Sequence, residues 1–135
     1  MSLFNWSDSY SVKVAELDNQ HKELINILNE LYDAMSARKG NEVLGSVITK
    51  LSNYTRLHFA TEEKYMEKYS YPGYAEQKKE HDLFLVKVQE FQKGFQAGEL
   101  MLSMEVSTFL KNWLINHISG VDKKYGPFFN EKGLS

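Results

Sequence analysis

The chain has no cysteine among its 135 residues, so disulfides and thiolate metal sites are excluded. No apolar run reaches the length of a membrane span. The opening MSLFNWSDSY lacks the basic and apolar regions of a secretory signal. Basic patches are also missing: 16 basic and 18 acidic residues are spread along the sequence, giving a net charge of -2. The pairs Lys78-Lys79 and Lys123-Lys124 are too short to bind nucleic acid or an anionic membrane surface. No internal repeat, low-complexity tract or linker divides the chain, and no stretch alternates with period two as a strand would. What is present is 42% hydrophobic and 25% charged residues, enough for one packed core. The expectation is a cytoplasmic protein with a single domain over residues 1–135, free of membrane and nucleic-acid partners.

Apolar residues recur at steps of three and four, which is helical periodicity. Residues 1–17 read as an extended arm, with Trp6 as its anchor to the core. Asp18 reads as the cap of a helix over about 18–39 that carries Leu24, Ile25, Leu28, Leu31, Tyr32 and Met35 and ends at Gly40. Asn41 reads as the cap of a second helix over about 41–70, stopped by YSYPG, where Pro72 disfavours helix in the residue before it. A third helix over about 74–97 carries Gln77, His81, Phe84, Leu85, Val88, Phe91 and Phe95 on one side, and Gly98 ends it. Ser103 reads as the cap of a fourth over about 103–120, followed by a short C-terminal segment. Short connections predict antiparallel neighbours, hence an all-α, up-down-up-down four-helix bundle.

All four histidines fall on the apolar stripes, and so does Glu62. A lone histidine on such a stripe is more often a satisfied core residue than a ligand. The topology changes that weighing. His21 opens the first helix, His58 and Glu62 lie late in the second, Gln77 and His81 open the third, and His117 lies near the end of the fourth. In an up-down bundle all of these reach one level at one end of the core. Burying them without partners would cost roughly 1 to 3 kcal/mol per group. A metal cluster would satisfy them together. The pairs His58-Glu62 and Gln77-His81 are four apart, which aims both members at a common centre. His117 and Asp122 are five apart, about 140° out of register in a regular helix. Spacing alone therefore makes Asp122 a solvated carboxylate at a helix end. A loosened or π-like turn at Gly120 would bring it inward. Imidazoles with carboxylates and no thiolate suit iron, manganese or zinc, and spacing does not choose between iron and zinc.

With these residues in place, the sequence resembles the bacterial hemerythrins over nearly its whole length. The likeness runs through FNW, LDNQHKELINILNELYDAM, HFATEEKYM, YPGYAEQKKEHDLF and FLKNWLINHISGVDKKYGPF. It implies two non-heme iron ions bridged by the carboxylates of Glu62 and Asp122 and by an oxo or hydroxo group. One iron would be held by His21 and His58, with an open position for reversible O2 binding. The other would take His81, His117 and a third histidine, at whose place this chain has Gln77. Phe59, Trp113, Leu114 and Ile118 match the apolar pocket around the O2 position, although each also reads as core packing. For Gln77 three outcomes stand open. The amide oxygen or a water fills the place, that iron binds weakly, or Glu76 or Glu80 swings in.

Three functions follow from this. The leading one is O2 storage, delivery or sensing, with O2 or small anions as ligands, no catalytic residue, and a monomer as the working form. With no fused sensor or output domain in sight, a free-standing carrier is expected. The second is a di-iron redox enzyme that reduces peroxide or nitric oxide at the position opened by Gln77. The third is a structural or partly loaded metal site without O2 chemistry.

Overall fold

The computed structural model describes residues 5–99 and 101–135, with Ser119 described by its backbone alone. Four long helical segments make up an all-α bundle, with no strand among the described residues. They are α1 (Ala15–Ser36), α2 (Gly40–Lys68), α3 (Tyr74–Gln96) and α4 (Leu102–Trp113). The fourth continues through a π-helical stretch, Leu114–Val121, and a 3-10 turn, Asp122–Lys124, into a short α5, Tyr125–Glu131. Consecutive helices pack side by side, and α4 closes the ring against α1. No described helix is long and apolar enough to cross a membrane.

The helix ends differ from those read off residue type. Helix α1 starts three residues before Asp18, with Val14 as its cap. Asp18 instead accepts hydrogen bonds from the Val12 N–H at 2.8 Å and the Ser11 hydroxyl at 2.6 Å, which fastens the arm to the first turn. Asn41 and Ser103 lie inside their helices, behind caps at Lys39 and Met101. Gly40 does not end α1 but begins α2. The reversal between them falls on Arg38, whose φ of 61° breaks the right-handed path. Gly98 does turn the chain after α3, with φ 69°. Phe95, read as inward-facing, is 42% exposed. The short C-terminal segment is helical in α5, whose few turns are too short for periodicity to reveal.

The core has two apolar parts. The larger contains Leu24, Leu28, Leu51, Phe59, Phe84, Leu110, Leu114 and Ile118, with Trp6 half-buried against it. The smaller contains Val12, Val14, Leu17, Met66, Tyr125 and Phe129. Every long segment passes from one part to the other. Helix α1 goes from Leu17 to Leu24, α2 from Phe59 to Met66, and the fourth segment from Ile118 to Tyr125. His21, Glu62 and Asp122 fall inside these intervals and His58 and His117 one residue before them, so a polar layer lies between two dry ones.

The arm and α5 meet closely enough to exclude a methyl group. A Cβ on Gly126 would sit 2.5 Å from the Val12 carbonyl oxygen, a backbone atom that cannot step aside. Gly126→Ala is expected to lower unfolding stability by about 1–3 kcal/mol through overpacking, measured as a lower urea midpoint at unchanged slope. An unchanged midpoint would show that the arm does not dock on α5 as described.

Candidate metal centre

His21, His58, Glu62, Gln77, His81, His117 and Asp122 are all buried, and Glu62 and Asp122 are fully so. The pair His58 and Glu62 meets across one helical turn, Nε2 to Oε1, at 3.0 Å. His81 Nε2 lies 3.3 Å from the same oxygen. Asp122 reaches the cluster because the π-helical stretch re-registers the backbone. The Asp122 N–H donates to the His117 carbonyl, five residues back, which stacks the two residues instead of splaying them. His117 Nε2 then lies 2.9 Å from Asp122 Oδ1, and His21 Nε2 lies 3.2 Å from Oδ2. The solvated placement that regular spacing gives Asp122 is thereby corrected.

Three of the imidazoles are oriented from behind. His58 Nδ1 is 2.6 Å from Gln20 Oε1, and Gln20 is itself turned by its Nε2, which donates to Thr61 Oγ1. His81 Nδ1 is 2.9 Å from Glu63 Oε2, and His117 Nδ1 is 3.2 Å from Glu80 Oε1. An ionised carboxylate only accepts, so these ring nitrogens carry the proton and donate it. The opposite nitrogen, Nε2, is left as a lone pair facing Glu62 or Asp122. A lone pair facing a carboxylate is two acceptors in contact, and a cation between them resolves it. Nearness alone does not: His21 Nδ1 and Nε2, His81 Nε2, His117 Nε2, Glu62 Oε1 and Asp122 Oδ2 all lack a hydrogen-bond partner despite the short separations. Tethering a metal-binding imidazole through its second nitrogen fixes its tautomer and aim.

In the metal-free chain, protons meet part of this need. Burial works against charging His117, but the Asp122 carboxylate outweighs it and raises the imidazole to about 9. His81 is raised in the same way, burial being overcome by Glu62. For His58 burial wins over Glu62, and its imidazole is lowered. Burial pushes Glu62 up, yet His58 and His81 hold it well below the usual carboxylate range. Asp122 is pushed up by burial and by Glu62, and is brought down overall by His117 and His21. A layer with two ionised carboxylates and a neutral His58 is built for a cation. The ligand atoms of His21, His58, Glu62 and Asp122 all lie within 4.8 Å of one another.

The remaining predicted residues divide. Phe59 lies face-on against His81, with ring centres 3.9 Å apart, and Trp113 lies face-on against His117 at 3.9 Å. Leu114 and Ile118 are buried in the larger core. Gln77 is buried, and its Nε2 donates to Asp122 Oδ1 at 2.9 Å, while its Oε1 has no partner. Glu76 is exposed, and Glu80 faces His117, its Oε1 accepting from Nδ1. Gln20, Glu63, Glu80 as a tether, and Tyr125 were not legible as site residues. Tyr125, fully buried, donates its hydroxyl to Glu62 Oε2 at 2.5 Å. The three tethers are polar residues at ordinary helical positions whose partners lie on other helices, and Tyr125 follows the stretch where regular spacing fails.

Comparison with known proteins agrees with this geometry. Residues 12–129 match the hemerythrin HHE cation binding domain. A bacteriohemerythrin of Stenotrophomonas maltophilia is 39% identical over 125 residues, covering 93% of this chain and 80% of that one. A bacteriohemerythrin of Methylococcus capsulatus is 35% identical over 128 residues, covering 94% and 97%. The crystal structure of a wild-type hemerythrin has a TM-score of 0.83 to this chain at 35% identity, covering 93% and 96%. A match of this extent, in sequence and in fold, makes the chain a member of the hemerythrin family.

Proposed function

We propose that this chain binds O2 reversibly at two non-heme iron ions held in the polar layer, as a storage, delivery or sensing protein and not as an enzyme. The observation that carries the reading is the set of buried nitrogens and oxygens on His21, Glu62, His81, His117 and Asp122 that converge on one layer without a hydrogen-bond partner. Glu62 and Asp122 would hold both ions. His21 and His58 would complete one position, and His81 and His117 would serve the other. When bound, the iron pair supplies the electrons and the open coordination position that O2 requires.

The chain's own residues supply the rest. The tethers Gln20, Glu63 and Glu80 keep His58, His81 and His117 in the tautomer whose Nε2 is free. Tyr125 occupies one oxygen of Glu62, which leaves the other facing His58 and His81. Its hydroxyl stays protonated, since burial and the charge of Glu62 raise it well above the usual phenol range. Phe59, Trp113, Leu114 and Ile118 exclude water from one side of the layer, and Met66, Tyr125 and Phe129 from the other. A dry surround limits proton access and so favours release of the bound gas unchanged.

The test is an absorption spectrum taken with an iron determination on the same sample. The reading expects a visible band in air that vanishes under vacuum and returns on re-exposure. Rapid irreversible bleaching with turnover of added peroxide would instead show a redox enzyme, and a colourless zinc protein would show a structural metal site. Glu62→Ala is expected to remove most bound metal, because one carboxylate serves both positions and its loss leaves the surrounding imidazoles without their anion. Two irons per chain in that variant would show that Glu62 does not bridge.

A further inference from the structure

The amide of Gln77 is oriented by chemistry and not by packing alone. Its Nε2 lies 2.9 Å from Asp122 Oδ1, and only the NH2 end of an amide donates to a carboxylate. An amide nitrogen has no lone pair to offer a metal, so the end that meets the cluster's carboxylate is not a ligand. The other end, Oε1, is a neutral oxygen, a poorer partner for iron than an imidazole. The two halves of the layer are therefore built differently. His21, His58, Glu62 and Asp122 form a full four-donor set, with ligand atoms within 4.8 Å of one another. Among the described residues no second group of three or more such donors is as compact. His81 and His117 have only the shared carboxylates, at 3.3 and 2.9 Å, to complete their half.

We propose that the two metal positions of this chain are unequal, and that Gln77 is a positioning residue for Asp122 and not a metal ligand. The position at His21, His58, Glu62 and Asp122 fills first and tightly. The position at His81 and His117 fills second and weakly, so the chain passes through a one-metal state. By holding Asp122 Oδ1, Gln77 strengthens the first position through a shared carboxylate while failing to complete the second. The inference rests on the reading of the layer as a two-metal site.

Anaerobic calorimetric titration of the stripped protein with Fe2+ tests it, using the unaltered chain, Gln77→His and Gln77→Leu. The unaltered chain is expected to take up two ions in two steps at least about tenfold apart in affinity. Gln77→His adds the missing imidazole and is expected to tighten the second step by tenfold or more, drawing the two together. Gln77→Leu removes the donor to Asp122 and is expected to weaken the first step by about 10- to 100-fold, the usual effect of losing an orienting partner, and to weaken the second step with it, since both positions share Asp122. Far-UV helicity checks that both variants are folded. If Gln77→Leu does not fold, the comparison of the unaltered chain with Gln77→His decides. Two ions entering the unaltered chain in one step, as in Gln77→His, would overturn the inequality. Loss of only the second step in Gln77→Leu would overturn the positioning role and make Gln77 a ligand. No uptake by any of the three would contradict the two-metal reading itself, a result distinct from either.

Discussion

Lone pairs facing carboxylates are the constraint around which this bundle is organised. His81 and His117 donate hydrogen bonds from Nδ1 to Glu63 and Glu80, and each then turns its Nε2 toward Glu62 or Asp122. His58 does the same with Gln20 behind it and Glu62 in front. Buried acceptors in contact cost about 1–3 kcal/mol each when nothing lies between them. A stable small domain holds only about 5–15 kcal/mol in total. A chain that spends a sizeable part of this on one layer needs a compensating cation there. Raised proton affinity at His81 and His117 offsets part of it in the metal-free chain. Divalent ions offset more, because one ion answers a carboxylate and an imidazole at once.

The fold keeps this layer both assembled and dry. Each long segment carries an apolar stretch, then the polar groups, then a second apolar stretch, and the segments are aligned so that these intervals coincide. Beneath the layer the arm is fixed by Asp18 to α1 and pressed against α5 at Gly126. That closes the end of the bundle with Tyr125 and Phe129, and Tyr125 hands a hydrogen bond up to Glu62. On the other side the rings of Phe59 and Trp113 lie flat on His81 and His117. The same contacts that stabilise the bundle restrict the imidazoles, so packing and ligand geometry are one set of interactions. Gln77, buried among these histidines, ties into the layer through the hydrogen bond it donates to Asp122.

Much of this was legible in the residues. The 3.6-residue period marked the four helices, and the up-down topology brought His21, His58, Glu62, Gln77, His81 and His117 to one level. Periodicity failed at Asp122, because a π-helical stretch changes the register and only tertiary context selects one. It failed also for the caps. Asp18, Asn41 and Ser103 have capping chemistry, but Asp18 is drawn to the arm and the other two lie just inside their helices. The tethers Gln20, Glu63 and Glu80 sit beside ligand positions in sequence yet serve histidines on other helices, a pairing that requires the assembled bundle.

The central claim is that a metal supplies the positive charge this layer lacks, and thermal unfolding of the same preparation before and after chelation tests it most directly. A metal bound to the folded state alone stabilises it by mass action. The account predicts a clearly lower melting temperature for the stripped protein, restored when Fe2+ is returned without air. Equal melting temperatures for the loaded and stripped forms would contradict it, for the layer would then be satisfied by protons and packing alone.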